Sequence, residues 1–214
     1  MRTKLKRFSE TEKLLALSVL FTLVLLLIRV IITGDDAYMF FPWNLFLAAL
    51  PLVCSRQLKK QGHFTFKAFM LLGVWLLFFP NAPYIITDLF HFNERAPVPY
   101  WYDLTLIISG AWAGTAMGFV SLMQVEKFLA PRIKPKWRLP VVLLLILLCS
   151  YGIYLGRYLR YNSWDIVSRP FDLAHITAVR FICPWNYPEF AGFTFLFSVL
   201  LGLMYFTVKR LGKE

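Results

Sequence analysis

Residues 14–33 read LLALSVLFTLVLLLIRVIIT, an apolar run broken by a single charge, Arg29. That is the length an α-helix needs to cross a hydrocarbon core of about 30 Å. A secretory signal has a shorter apolar core and a small-residue cleavage site behind it. Neither is present, so the run reads as an uncleaved first span despite the basic MRTKLKR before it. Five more runs follow, at 39–54, 66–86, 104–123, 140–158 and 190–208. The second is short and holds Pro42 and Pro51. The expected fold is therefore all-α: one integral membrane domain over 1–214, a polytopic bundle of about six transmembrane helices.

Composition agrees. Hydrophobic residues are 58% of the chain and charged residues 16%, where a soluble domain carries about a quarter charged. The net charge of +11 would suit nucleic acid if it formed one basic face. Instead the cations sit in short clusters between apolar runs, which excludes nucleic acid as the natural partner and leaves membrane lipids. Of the 23 Lys and Arg, 17 fall in the N-terminus, in the loops around Lys60 and Lys134, and in the C-terminus. The positive-inside rule then puts both termini in the cytoplasm. The opposite side gathers Asp35, Asp36, Asp88, Glu94, Asp103, Asp165, Asp172 and Glu189, with an aromatic belt that includes Tyr84, Trp101 and Trp164. Between the last two spans, 171–181 alternates apolar Phe171, Ala174, Ile176 and Val179 with Asp172, His175 and Arg180. This is the pattern of an amphipathic helix in the outer interface. Cys54, Cys149 and Cys183 have no metal or disulfide spacing.

Chemistry is concentrated on the outer side. The third run contains Phe79-Pro80-Asn81-Ala82-Pro83-Tyr84. Two prolines remove two backbone donors, so the third helix is expected to break. Irregular backbone at that depth persists only where protein or a wet cavity satisfies it, and Asn81 can supply part of that bonding. After the break, Thr87, Asp88 and His91 follow, with Asp88 and His91 on one helical face. An imidazole beside a carboxylate serves as base, ligand or pH switch, or as a plain structural hydrogen bond. The same spacing recurs at Asp172 and His175, so Asp88, His91, Asp172 and His175 are a candidate ligand set for a divalent metal; no other cofactor is indicated. Arg157 and Arg160 end the fifth span against the positive-inside trend. They can clamp an anion, pair with Asp88, Asp103 or Asp165, or snorkel to headgroups. Arg29 reads as snorkelling toward Asp35 or Asp36. Gly110, Gly114 and Gly118 in the fourth span and Gly152 and Gly156 in the fifth have the spacing of close helix contacts. If Gly110 meets Gly156 and Gly114 meets Gly152, Asp103 lies level with Ser163, near Arg160 and Asn162. Gly34, in a loop, reads as tolerant of substitution.

Two stretches, PNAPYIITDLFH at 80–91 and GRYLRYNSWD at 156–165, resemble the bacterial membrane family called domain of unknown function 1361. The resemblance spans nearly the whole chain and implies a bacterial membrane location. It implies no activity. The residues point to an outward-facing site at the bilayer surface, with Asp88 and His91 as the candidate catalytic pair and Arg157 and Arg160 as anion binders. Asn81, Thr87, Asp103, Asn162 and Asp165 support them. A lipid-linked or anionic ligand suits that location; a scaffold, sensor or small-solute translocation subunit is the alternative. The sequence leaves open whether the chain is an enzyme and what its oligomeric state is.

Topology is directly testable. Reporter fusions after Lys60, Lys134 and Lys213 should read cytoplasmic, and fusions near Glu94 and Asp172 external. An external C-terminus contradicts six spans.

Overall fold

The computed structural model describes residues 9–93 and 97–212, with the side chain of His91 outside the description. The described residues form helices α1 (Glu10–Thr33), α2 (Phe41–Lys59), α3 (Phe66–Phe78) and α4 (Asn81–Tyr84), then a 3₁₀ turn at Ile85–His91. After these come α5 (Tyr100–Leu129), α6 (Pro135–Tyr158), α7 (Asp165–Ser168), α8 (Pro170–Ile182) and α9 (Pro188–Leu211), with a short 3₁₀ turn at Pro184–Asn186. Helix starts follow local chemistry. Ser9 and Glu12 form a capping box on α1, Thr65 caps α3, and prolines open α6, α8 and α9.

Among the described residues, five helical stretches are long and apolar enough to cross a membrane: Glu10–Thr33, Phe66–Phe90, Tyr100–Leu129, Pro135–Tyr158 and Pro188–Leu211. Helix α2 is the sixth element of the bundle and the least apolar. Its 19 residues are about 28 Å long, but Asn44, Arg56 and Lys59 interrupt its apolar run. Apolar side chains such as Leu14, Ile31, Phe195 and Leu203 stand exposed on the outside of the bundle, where hydrocarbon rather than water would meet them. At the centre stands α5, with two-thirds of its span buried (67%), against 22% for α1 and α9.

Contacts fix the direction of each helix. Arg29 meets Asp103 and Thr22 meets Ser109, so α1 and α5 are antiparallel. Phe41 lies on Gly110 and Ser55 bonds Gln124, so α2 runs parallel to α5. Trp75 bonds Ser121 while Ile85 lies on Gly114, which makes α3–α4 antiparallel to α5. Pro80 lies on Gly152 and Tyr84 on Gly156, so α6 runs parallel to α3. The first and last described residues therefore emerge on one face, where Arg56 pairs with Glu12 and Lys209 with Glu126.

The proline segment interrupts the third helix without severing it. Phe79, Pro80, Tyr84 and Ile85 all keep right-handed helical angles, and the chain tightens into the 3₁₀ turn. What fails is the hydrogen-bond ladder. The carbonyls of Phe78 and Leu77 are met by side chains instead: Asn81 Nδ2 donates to Phe78 O at 3.0 Å and Ser163 Oγ to Leu77 O at 3.2 Å.

The glycines pack differently from expectation. Gly114 lies against the Ala82 carbonyl and Ile85, Gly118 against Ala82, Gly152 against Pro80, and Gly156 against Tyr84. The two rows do not meet; they grip the proline segment from opposite sides. Gly110 takes the ring of Phe41. Gly34 is also not a free loop residue. It ends α1 at φ 64°, a left-handed conformation that suits glycine. Helix α8 appears close to the predicted place, with no buried residue. It is tied to α6 by the Tyr151–Thr177 hydroxyl bond of 2.7 Å.

A Cβ at Gly114 would stand 2.5 Å from the Ala82 carbonyl oxygen, whereas one at Gly192 would meet nothing within 4 Å. Gly114→Leu should therefore cost about 3 kcal/mol of stability and Gly192→Leu almost none. Thermal unfolding in detergent reads the difference, and equal tolerance would rule out the glycine grip.

Candidate functional site

The two sequence motifs meet at the C-terminal end of α6. Asn81, freed from the ladder, donates to Ser163 Oγ at 2.9 Å. This clips the 162–165 loop onto the proline segment. One turn further on, Arg157 reaches across from α6. Its Nε and Nη2 donate to Thr87 Oγ1 at 2.8 and 2.6 Å, and Nη2 also donates to Asp88 Oδ1 at 2.6 Å. The guanidinium lies over the Tyr84 ring, 4.6 Å from its centroid, with Phe90 at 5.8 Å. The Thr87 hydroxyl in turn donates a hydrogen bond to the Tyr84 carbonyl at 2.7 Å. Thr87 and Asp88 are buried. In so dry a setting the Coulomb attraction of the pair is several-fold larger than in water.

Asp88 has a further partner that the sequence reading missed. Asn44 of α2 donates to Asp88 Oδ2 at 3.2 Å. The available signal was that Asn44 is the one amide side chain in the apolar run from Phe40 to Leu52, where a lone amide needs a partner.

Asp103 does not join this group. Arg29 Nε donates to its Oδ1 at 2.8 Å and Nη2 to its Oδ2 at 3.3 Å, and both residues are 1% exposed. Tyr38 stacks on the guanidinium at 4.6 Å, and Asp35 lies 3.5 Å away. The expected neighbourhood of Asp103 with Arg160 and Asn162 fails because the proline segment occupies the space beside the α5 glycines. Asp103 faces α1 instead. Arg29 is accordingly a buried, paired cation with Asp35 as its secondary partner, and it does not simply snorkel.

Asp165 organises the loop. It accepts from the Asn162 amide at 2.7 Å, from Ser168 Oγ at 2.9 Å and from Arg169 at 3.4 Å. The Asn162 amide first, then Ser168 and Arg169, hold its carboxyl below the ordinary aspartate range. The stabilisation is present above that ordinary range and is lost only as pH falls through the lowered value. Asp172 and His175 are exposed on α8. Among the described residues no three His, Cys, Asp or Glu side chains converge, so Asp88, Asp172 and His175 do not form a common ligand set. The backbone of His91 ends the 3₁₀ turn, and its side chain lies outside the described residues.

Below the junction of the motifs is a cavity of about 960 Å³. Its deep walls are apolar: Gly73, Leu76 and Leu77 of α3 face Leu148, Tyr151 and Leu155 of α6. Its polar lining gathers at the end level with the motifs, where Asn44, Asn81, Arg157, Arg160, Asn162 and Ser163 stand among the aromatic Trp43, Tyr84 and Phe90. Ligand sites are typically 300–1,000 Å³ and apolar with a few convergent polar groups.

The family model described as "Protein of unknown function (DUF1361)" matches residues 43–204. The chain belongs to the DUF1361 family. That match covers both motifs and every residue lining the cavity and leaves out the whole of α1. No curated protein and no solved structure matches the chain. The DUF1361 assignment carries no activity, so function has to be argued from the site.

The Asp88–Arg157 pair is open to a double-mutant cycle. Asp88→Ala or Arg157→Ala alone strands a buried charge and should cost on the order of 3–5 kcal/mol; the double mutant should cost clearly less than the sum. Asp88→Ala with Arg160→Ala should be additive within about 0.5 kcal/mol. Additivity in the Arg157 cycle would show that the pair does not interact.

Proposed function

We propose that this protein resides in the bacterial cytoplasmic membrane with both termini inside, and that it binds a membrane-borne ligand in the cleft between α3 and α6. The cleft mouth opens outward under this topology, because it lies at the end of the bundle opposite the main cation clusters. One observation carries the reading: an apolar trough beneath a polar mouth. A soluble metabolite has no use for the apolar depth between Gly73 and Leu148, and a purely structural seam would be filled by side chains. A lipid-linked molecule fits both halves, with its hydrocarbon along α3 and α6 and its head among Asn81, Asn162 and the arginines. The bilayer already solvates such a tail, so the cleft gains little by burying it. What it supplies is position, holding the head at a fixed place on the outer surface.

A scaffold reading has one observation in its favour. Arg157 is fully engaged with Thr87 and Asp88 and would hold helices together without any ligand.

Gly73 separates the two. A Cβ there would meet nothing within 4 Å, and the residue lines the cleft. Gly73→Trp should therefore fill the cleft without disturbing the bundle. Native mass spectrometry with hexadecyl phosphate should find about one bound molecule on the parent protein and none on Gly73→Trp, with unfolding temperatures that agree within a few degrees. Retention of the probe by a folded Gly73→Trp variant would leave the scaffold reading standing.

A further inference from the structure

We infer that Arg160 is the residue that recognises the ligand's head, and that the head is an oxyanion, a phosphate or carboxylate. The inference rests on the cleft reading above and adds the chemical class of what the cleft holds.

Two observations carry it. The first is conformational. Arg160 is the sole non-glycine residue with positive φ among the described residues, at 56°. It follows the Leu159 cap at the end of α6, where the Tyr161 amide turns back to donate to Leu155 O at 3.0 Å. Helices commonly end on a left-handed residue, and glycine takes that position without steric cost. An L-residue with a long side chain pays a steric cost there. Strain of this kind persists where the side chain is needed.

The second observation is what the side chain does. Arg157, one turn earlier, is committed to Thr87 and Asp88. Arg160 lines the cleft, and its guanidinium makes no hydrogen bond, ion pair or ring contact with any described residue. Asn162 lines the same cleft, and its side-chain amide is likewise without a hydrogen bond among the described residues. A planar five-donor fork beside an amide is suited to two oxygens of one anion. The acids of the two motifs are already used: Asp88 by Arg157 and Asn44, and Asp165 by Asn162, Ser168 and Arg169. The division of labour is therefore a fixed cation that shapes the site and a second cation left for the ligand.

The informative substitution is Arg160→Gly. It relieves the left-handed strain and removes the guanidinium, so stability and binding should move in opposite directions. The unfolding temperature in detergent should stay level or rise, while affinity for hexadecyl phosphate should fall about ten-fold or more, the loss of one charge-assisted contact. Hexadecanol should bind parent and variant alike. Arg160→Lys keeps the charge without the fork and should fall between them. Inorganic phosphate, offered as competitor, tells a lipid head from a free anion. Weak competition supports a lipid-borne oxyanion. Competition equal to hexadecyl phosphate keeps the oxyanion at Arg160 but removes the tail from the account. If hexadecanol binds the parent as well as hexadecyl phosphate does, the oxyanion assignment is overturned and the cleft reading survives. If neither amphiphile binds, the cleft reading falls and this inference with it. If Arg160→Gly destabilises the protein and Arg160→Lys does not, Arg160 is structural and the inference is wrong.

Discussion

Prolines at 80 and 83 remove two amide donors from a helix that runs through hydrocarbon, where no water replaces them. The ladder shifts around the gap, with the Ala82 amide donating to Phe79 O in place of Phe78 O, and side chains meet the carbonyls left over. The Leu77 carbonyl takes the Ser163 hydroxyl and the Phe78 carbonyl takes the Asn81 amide, and Asn81 and Ser163 bond each other. A repair that uses a residue from the 162–165 loop necessarily draws that loop, and the end of α6 with it, onto the third helix. The glycines of α5 and α6 let this happen: a Cβ at Gly114 or Gly152 would collide with the proline segment, and one at Gly118 or Gly156 would crowd it. The two motifs of the sequence are thus two halves of one repair.

Once the repair fixes α6 against the third helix, the electrostatics follow. Arg157 has to find its partners within reach of Thr87 and Asp88, and it does so with Tyr84 and Phe90 against its flat face. At the same end of the bundle, Arg29 and Asp103 tie α1 to α5. Buried pairs of this kind contribute little net stability against an apolar alternative, but losing one partner is expensive. They therefore fix geometry more than they add stability. Arg160 stands apart from both pairs. It occupies a strained position and has no described partner, and it is the cation that a ligand can use.

Much of the fold was legible in the sequence, because hydrocarbon thickness and the ladder rule act on local composition. Apolar length gave the spans, the proline pair gave the interrupted third helix, and alternation at 171–181 gave α8. The second run's shortness and prolines correctly marked α2 as the exception. Of the site, the junction of the Asp88 segment with Arg157 could be read from shared side and shared spacing. The rest could not. A glycine row states that something approaches closely and says nothing about what, so the expected α5–α6 contact gave way to the proline segment. Asp103 and Asp88 lie on the same side of the bundle, and only rotation of α5 decides that one meets Arg29 and the other Arg157. The empty flank of Gly73 and the left-handed backbone of Arg160 are properties of packing, with no trace in composition or period.

The central claim is that repair of the interrupted helix opens a cleft between α3 and α6 that holds a membrane amphiphile. An electron cryomicroscopy map of the protein in lipid nanodiscs tests it most directly. The account predicts elongated density between Gly73 and Leu148 that ends at the Arg160 guanidinium, with Arg157 still against Asp88. A closed seam of packed side chains at that place, or an α6 whose Arg157 is far from Asp88, would contradict it.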